Sequence, residues 1–291
     1  MINYGKKLKE IRLFKGFTLE EASKGILTKS GLSKFERGET SITFDKLLRI
    51  LNRLSISIEE YDFYCNNSQL SDFDFLIQKV ETAYVANNAI LLKHLANIEF
   101  EKFNDTGLAL HKLNAIMISV LYEDISKDII LKRKDVSFLT DYLFSLEQWF
   151  YYDIVLFGNS ITKLPYELIR SISNDMVLKT ALFGKIPANR RLIAQTILNT
   201  AMHYFKSGMI DYSQGALLAG NNFINQTDFQ EKFISSFLDA CIKYLTPSQD
   251  NQKVLDILAA LKELVDEEVY INYYDFYKTI VEPQKTFNKR Q

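Results

Sequence analysis

Hydrophobic positions in the first 64 residues recur at helical spacing, in short runs broken by glycine. Tyr4, Leu8 and Ile11 fall at i, i+4 and i+7 and predict a first helix that ends near Gly16. Thr18-Leu19-Glu20-Glu21 has capping-box spacing. The Thr18 hydroxyl can accept from the Glu21 amide while the Glu21 carboxylate reaches back, so a second helix starts there and stops at Gly25. After ILTKS a third helix runs to Gly38. Phe44, Leu47, Leu48 and Leu51 give a fourth helix its apolar stripe, and Ser57-Ile58-Glu59-Glu60 is a second capping box that opens a fifth.

Beyond the polar linker YCNNSQLSD, residues 64–72, the same period continues. Ile193, Ile197, Ala201 and Tyr204 form one stripe; Phe229, Phe233, Phe237, Ala240, Cys241 and Tyr244 form another; Val254, Ile257, Leu258, Leu261 and Val265 form a third. Pro165, Pro187 and Pro247 stand where helices are expected to begin, and Gly158, Gly184 and Gly208 where they are expected to end. The pattern predicts about ten helices of roughly 15 to 20 residues with short breaks, the signature of stacked helical hairpins. Such a stack curves, and its concave face suits an extended peptide or a partner helix. The expected organisation is a head over 1–64, a linker over 65–72 and a helical repeat domain over 73–285.

Composition agrees with helices. The chain has 291 residues, 47% hydrophobic and 13% aromatic, with only 11 Gly and 4 Pro. Hairpin dipeptides between alternating apolar runs are missing, which points to an all-α class. Cys65 and Cys241 lie far apart and in no CxxC pair, against a disulfide framework or a zinc site. His94, His111 and His203 are scattered, with no HExxH; no GxxxxGK[ST], GxGxxG or GxSxG motif occurs either. The expectation is a protein that is not an enzyme and has no cofactor and no metal. With no apolar signal core and no run of about 18 apolar residues, a soluble cytoplasmic protein with no membrane partner is expected.

Charge changes the picture. The formal net charge is −1, from 35 basic and 36 acidic residues. Residues 1–58 hold 12 Lys or Arg against 6 Asp or Glu, leaving 23 basic and 30 acidic residues for the remainder. A basic head on an acidic body points the head at a polyanion. In the third predicted helix, at about 100° per residue, Leu32 and Phe35 face one way. Ser30, Ser33, Lys34 and Arg37 cluster roughly opposite, with Thr28 and Lys29 at the N-terminal end. Two small hydroxyls allow close approach, and the cations can reach base edges or phosphates, as a major-groove helix requires.

Residues 4–61, with the stretch LSKFERGE, resemble the five-helix helix-turn-helix domain of the Xre/Cro type. The resemblance implies that Glu36 ties the helix to its neighbours, and that Thr28, Lys29, Ser30, Ser33, Lys34 and Arg37 face DNA. Where many relatives place a phosphate-contacting Gln at the start of the second helix, this chain has Leu19-Glu20.

The segment SLEQWFYYDIVLFGNS, residues 145–160, holds the single Trp. Phe150, Ile154 and Phe157 are expected to be core. Asn159 and, later, Asn199 can bond both the N–H and the C=O of an extended peptide; taken singly, each also fits a helix-end or solvated asparagine. This segment, the layout and the length together resemble the Rgg/GadR/MutR group of regulators from Gram-positive bacteria. The resemblance implies a TPR-like right-handed repeat domain that forms a homodimer. It also implies a short hydrophobic signalling peptide, as in quorum sensing, bound in the concave groove. The matching positions are Trp149, Asn159 and Asn199, with Arg190 and Arg191 as candidates for the peptide's acidic groups or carboxylate. Some relatives have Arg directly after the LFGN motif, where this chain has Ser160. The partners expected are double-stranded promoter DNA, a second copy of the chain, the peptide and RNA polymerase. The competing reading is a ligand-independent helix-turn-helix regulator, or a protein-interaction scaffold whose head holds DNA weakly.

Overall fold

The computed structural model describes residues 3–66, 71–180, 183–245 and 251–288. Among them the chain is all-helical, with sixteen α-helices, two short 3-10 turns and no strand. It divides into two compact units, 1–82 and 83–291.

The first unit opens with α1 (Tyr4–Phe14), α2 (Leu19–Ser23), α3 (Lys29–Glu36), α4 (Phe44–Arg53) and α5 (Ile58–Cys65). Local chemistry sets the starts. Asn3 accepts from the Lys6 amide at 2.9 Å and Thr28 from the Gly31 amide at 3.0 Å. Both expected capping boxes form, Thr18 with Glu21 and Ser57 with Glu60. Gly16, Gly25 and Gly38 follow their helices in the left-handed region, as the sequence pattern predicts. Leu8, Ile11, Leu32, Phe35, Ile50 and Leu51 fill the core, and the Tyr61 hydroxyl donates to the Tyr4 carbonyl at 2.7 Å. Gly5 lets α1 cross α3 closely: a Cβ there would fall 1.8 Å from the Phe35 carbonyl oxygen.

Phe44 departs from the expected stripe. It is the first residue of α4 and is 64% exposed, whereas Ile50 and Leu51 supply that helix's buried contact. The α4 cations are used inside the head. Arg49 donates to the Gly25 carbonyl at 2.7 Å, and Arg53 donates to the Lys24, Glu21 and Ala22 carbonyls. A guanidinium on the last carbonyls of a helix both caps it and answers its dipole.

A sixth helix, α6 (Asp72–Val85), spans the division. The second unit continues with α7 (Ala89–Thr106), α8 (Ala109–Ser126), α9 (Arg133–Ser145), α10 (Tyr151–Gly158), α11 (Tyr166–Lys179) and α12 (Pro187–Lys206). It ends with α13 (Ile210–Asn221), α14 (Phe229–Tyr244), α15 (Gln252–Lys262) and α16 (Glu267–Asn288). Helices α7 and α8 pack as a pair, as do α12 and α13; α10 and α14 pack on α12, and α15 joins α14 to α16. The α12 stripe is buried as expected: Ile193, Ile197, Ala201 and Tyr204 all lie inside.

On α14, Phe237, Ala240, Cys241 and Tyr244 are buried, but Phe229, at the helix start, is 78% exposed. Val265 lies beyond the end of α15. Pro165 and Pro187 stand at helix starts and Gly208 follows α12 with φ +75°, while Gly184 sits in a 3-10 turn; Pro247 lies outside the described residues. Both cysteines are buried and unbridged. Among the described residues no helix is long and apolar enough to cross a membrane, and no His, Cys, Asp or Glu group is arranged to hold a metal ion.

Candidate nucleic-acid interface and effector site

Helix α3 is held from below and open above. Leu32, Phe35 and Glu36 are buried, while Thr28, Lys29, Ser30, Lys34 and Arg37 are exposed and Ser33 is half-buried. The anchor is ionic as well as apolar. Arg12 grips Glu36 with two parallel hydrogen bonds of 2.7 and 2.8 Å and donates a third to the Phe17 carbonyl at 2.7 Å. This hydrogen bonding to Glu36 raises the Arg12 pKa further above its ordinary value. The fork also fixes the rotation of α3 about its axis, because a bidentate guanidinium–carboxylate pair is directional.

The six sequence-predicted residues therefore share one outward surface of α3 and its two ends, with Thr28, Ser33 and Arg37 already engaged. Thr28 is the N-cap, its oxygen taken by the Gly31 amide. Arg37, at the C-cap, folds back onto Glu39, with Nη2–Oε2 at 2.9 Å, and donates to the Ser33 hydroxyl. The Arg37 hydrogen bond holds the Glu39 carboxyl below its ordinary pKa, with Lys34 adding a smaller pull.

In the second unit the five predicted effector residues are not equivalent. Trp149 is fully enclosed (0% exposed). Its indole donates to Asp175 at 3.0 Å and its ring meets Phe157 edge-on at 5.9 Å. Ile154 and Phe157 are core as expected, but Phe150 is 54% exposed at the N-cap of α10. Asn159 caps the other end of α10 and donates to the Val155 carbonyl at 2.9 Å. Ser160 is completely enclosed, its hydroxyl without a hydrogen-bond partner; a long cation at that position would find no room.

Arg190 clasps Asp228 with both terminal nitrogens and donates to the Phe223 carbonyl; Arg191 reaches the same carboxylate at 3.3 Å. Hydrogen bonding from Arg190 and the Asn225 amide holds the Asp228 carboxyl down to about 2. Arg191, Gln195 and Asn199 stand at i, i+4 and i+8, one line along α12. Gln195 donates to Glu231 at 2.8 Å, and the other oxygen of that buried carboxylate has no partner. A Cβ on Gly158 would lie 3.2 Å from the Thr196 hydroxyl. The end of α10 that carries Asn159 therefore rests on α12 about one turn from Asn199.

Two family descriptions match this chain. Residues 8–61 match a helix-turn-helix family, and residues 92–275 match the C-terminal domain of the HTH-type transcriptional regulator Rgg. The chain belongs to the Rgg family. It is thus a helix-turn-helix transcriptional regulator, and the matched ranges place α3 in the DNA-binding motif and α8 to α15 in the Rgg C-terminal domain.

Among solved structures, this Rgg-family chain is similar to the SHP pheromone receptor Rgg2 of Streptococcus dysgalactiae, at 25% identity and a TM-score of 0.80 over 95% of this chain and 99% of that one. It shares its fold with a transcriptional regulator of Listeria monocytogenes EGD-e, at 17% identity and a TM-score of 0.84 over 98% and 99% of the two chains. It also shares its fold with PrgX, at 18% identity and a TM-score of 0.76 over 97% and 94%.

The sequence pattern missed two cations in this Rgg head. Lys6 and Lys9 are exposed on α1 and border the same open groove as Arg37 and Glu39. Their i, i+3 spacing was the available signal, but only the crossing of α1 over α3 brings them beside the end of α3.

Proposed function

We propose that this regulator reads promoter DNA as a homodimer, with the α3 surface in the major groove. Thr28, Lys29, Ser30, Ser33, Lys34 and Arg37 contact the duplex, and Lys6 and Lys9 on α1 bind the flanking phosphates. The observation that carries the reading is the division of α3 into a locked side, Leu32, Phe35 and the Arg12–Glu36 fork, and an exposed side of hydroxyls and cations. A helix docked this way presents side chains to base edges without rearranging the head. The test is binding to the chain's own upstream DNA against random duplex at several salt concentrations. A specificity ratio of at least about 10³ is expected; equal affinity for both would sink the reading.

For the second unit the proposal is a short hydrophobic peptide laid along the Arg191, Gln195 and Asn199 line of α12, with Asn159 beside it, modulating how the DNA-bound dimer engages RNA polymerase. Support comes from the exposed amide of Asn199 and from the similarity to the pheromone receptor Rgg2. One set of observations favours a ligand-independent regulator instead: Trp149 is enclosed, and Arg190 and Arg191 are committed to Asp228. Reporter transcription with and without candidate hydrophobic peptides, in wild type and in Asn199→Ala, separates the two. A response that Asn199→Ala abolishes supports the peptide, and identical output under every condition supports the ligand-independent form.

A further inference from the structure

Another face of α12 borders a cavity. Helices α11 and α13 wall this cavity, of about 220 Å³, with α12 as its floor. At about 100° per residue, its floor residues Ile197, Thr200 and Tyr204 stand roughly 100 to 160° around α12 from Asn199, so the cavity is separate from the proposed peptide line. Its volume is below the ~300–1,000 Å³ of sites that take drug-sized molecules, which sizes it for something smaller.

The chemistry inside is graded along its length. Arg170 and Tyr212 meet at one end, the guanidinium 5.2 Å from the ring centroid, and Tyr212 is pinned there by its 2.7 Å hydrogen bond to Glu167. Asp211, the neighbour of Tyr212, lines the same end. The helices start together here, so Val177 and Ala219, each later on its helix, line the opposite end with an apolar wall. Arg170, Ser173 and Asn174 are one helical turn of donors on a single face of α11. Ser173 is 9% exposed, and its hydroxyl has no hydrogen-bond partner. A buried hydroxyl left unbonded is unfavourable, and a turn of the Ser173 side chain towards a ligand oxygen beside Arg170 would satisfy it.

We propose that this cavity binds a free aliphatic amino acid as its zwitterion. The α-carboxylate accepts from Arg170, Ser173 and Asn174, the α-ammonium donates to Asp211, and the side chain lies against Val177, Ile197 and Ala219. One cation and one anion at the same end of a small apolar slot match a molecule carrying both charges on one carbon. A ligand with a single charge pairs with only one of Arg170 and Asp211 and forgoes the other contact.

The test is calorimetric titration of the full-length protein with L-leucine, L-isoleucine and L-valine, and with N-acetyl-L-leucine and L-leucinamide, which each lack one charge. Saturable binding of at least one free amino acid is expected, with each blocked leucine binding about tenfold or more weakly than L-leucine. Arg170→Gln and Asp211→Asn, both at exposed positions, are expected to weaken binding by a similar factor. Ser173→Ala is expected to weaken it without lowering the melting temperature of the ligand-free protein. No saturable heat from any of the three amino acids at millimolar concentration would overturn the proposal. So would blocked leucines binding as well as L-leucine, a result that needs no variant to fold.

Discussion

Arg12 and Glu36, 24 residues apart, form a buried two-pronged ion pair that joins α1 to α3 beneath the exposed surface of α3. Removing one partner leaves the other charge enclosed and uncompensated. Arg12→Ala is therefore expected to destabilise the head by about 3 to 5 kcal/mol. Arg12→Lys keeps the charge but cannot make the fork, and is expected to fall between wild type and Arg12→Ala. Chemical denaturation followed by circular dichroism measures both; a loss under about 1 kcal/mol for Arg12→Ala would show that the pair is not the anchor described.

In the proposed docking, Arg37 must leave Glu39 and Ser33 to reach DNA. Glu39→Gln removes the competing carboxylate and is expected to tighten DNA binding a few-fold, the scale of an exposed ion pair. Arg37→Ala is expected to weaken specific binding about tenfold or more. Fluorescence anisotropy with labelled promoter DNA reads both. Unchanged affinity in Arg37→Ala would remove this residue from the interface.

Features fixed within a few residues were legible in the sequence. The Thr18 and Ser57 capping boxes form as read, as do the glycine stops after α1, α2 and α3. The outward set on α3 was legible too, because Leu32 and Phe35 fix which side turns inward. The departures cluster at helix starts: the stripes that include Phe44 and Phe229, and the core expectation for Phe150, extend to positions that are exposed at or just before the first residue of a helix. Periodicity gives the direction of a side chain, not whether a neighbouring helix reaches that far along the axis. Nor can it show partners distant in sequence. Glu36 was readable as a tether through resemblance, but Arg12 as its partner was not, and Asp228 as the holder of Arg190 lies 38 residues away.

Two glycines should respond oppositely to the same substitution. A Cβ on Gly5 would collide with the backbone at Phe35, whereas one on Gly215, within α13, meets nothing within 4 Å. Gly5→Ala is expected to lower stability by about 1 to 3 kcal/mol or more through overpacking. Gly215→Ala is expected to raise it by about 0.5 to 1 kcal/mol through helix propensity. Thermal melts of the two variants give the signs directly, and equal shifts would contradict the close crossing of α1 over α3.

Trp149 and Asn199 were grouped by resemblance, yet one is enclosed and the other exposed. Trp149→Ala is expected to cost about 3 to 5 kcal/mol, as for other large aromatic truncations in a core. Asn199→Ala is expected to leave the melting temperature within about 1 °C, since surface changes stay near ±0.5 kcal/mol. A melt unchanged in Trp149→Ala would show that its burial contributes little, and a large loss in Asn199→Ala would make that residue structural.

Asp228 ties the start of α14 to α12 through Arg190 and Arg191, and its carboxyl is held down to about 2 from an ordinary value of 3.8. A group whose pKa is lower in the folded state adds stability above its unfolded value. The contribution disappears as pH falls through the folded value. The clamp should therefore act in full above about pH 4 and fade as pH falls towards about 2. Glu99 and Glu123 also have lowered pKa values. In both, burial is the largest influence and raises the pKa, but hydrogen bonds to Lys102, His111 and Asn114 for Glu99, and to Lys163, Leu131 and Ile130 for Glu123, outweigh it. The total acid curve thus mixes several carboxyls, and the informative quantity is the stability difference between wild type and Asp228→Asn. That difference should be largest and flat above about pH 4 and should shrink steadily below it. A difference that stays constant down to pH 2 would mean that the negative charge of Asp228 does not hold these helices together.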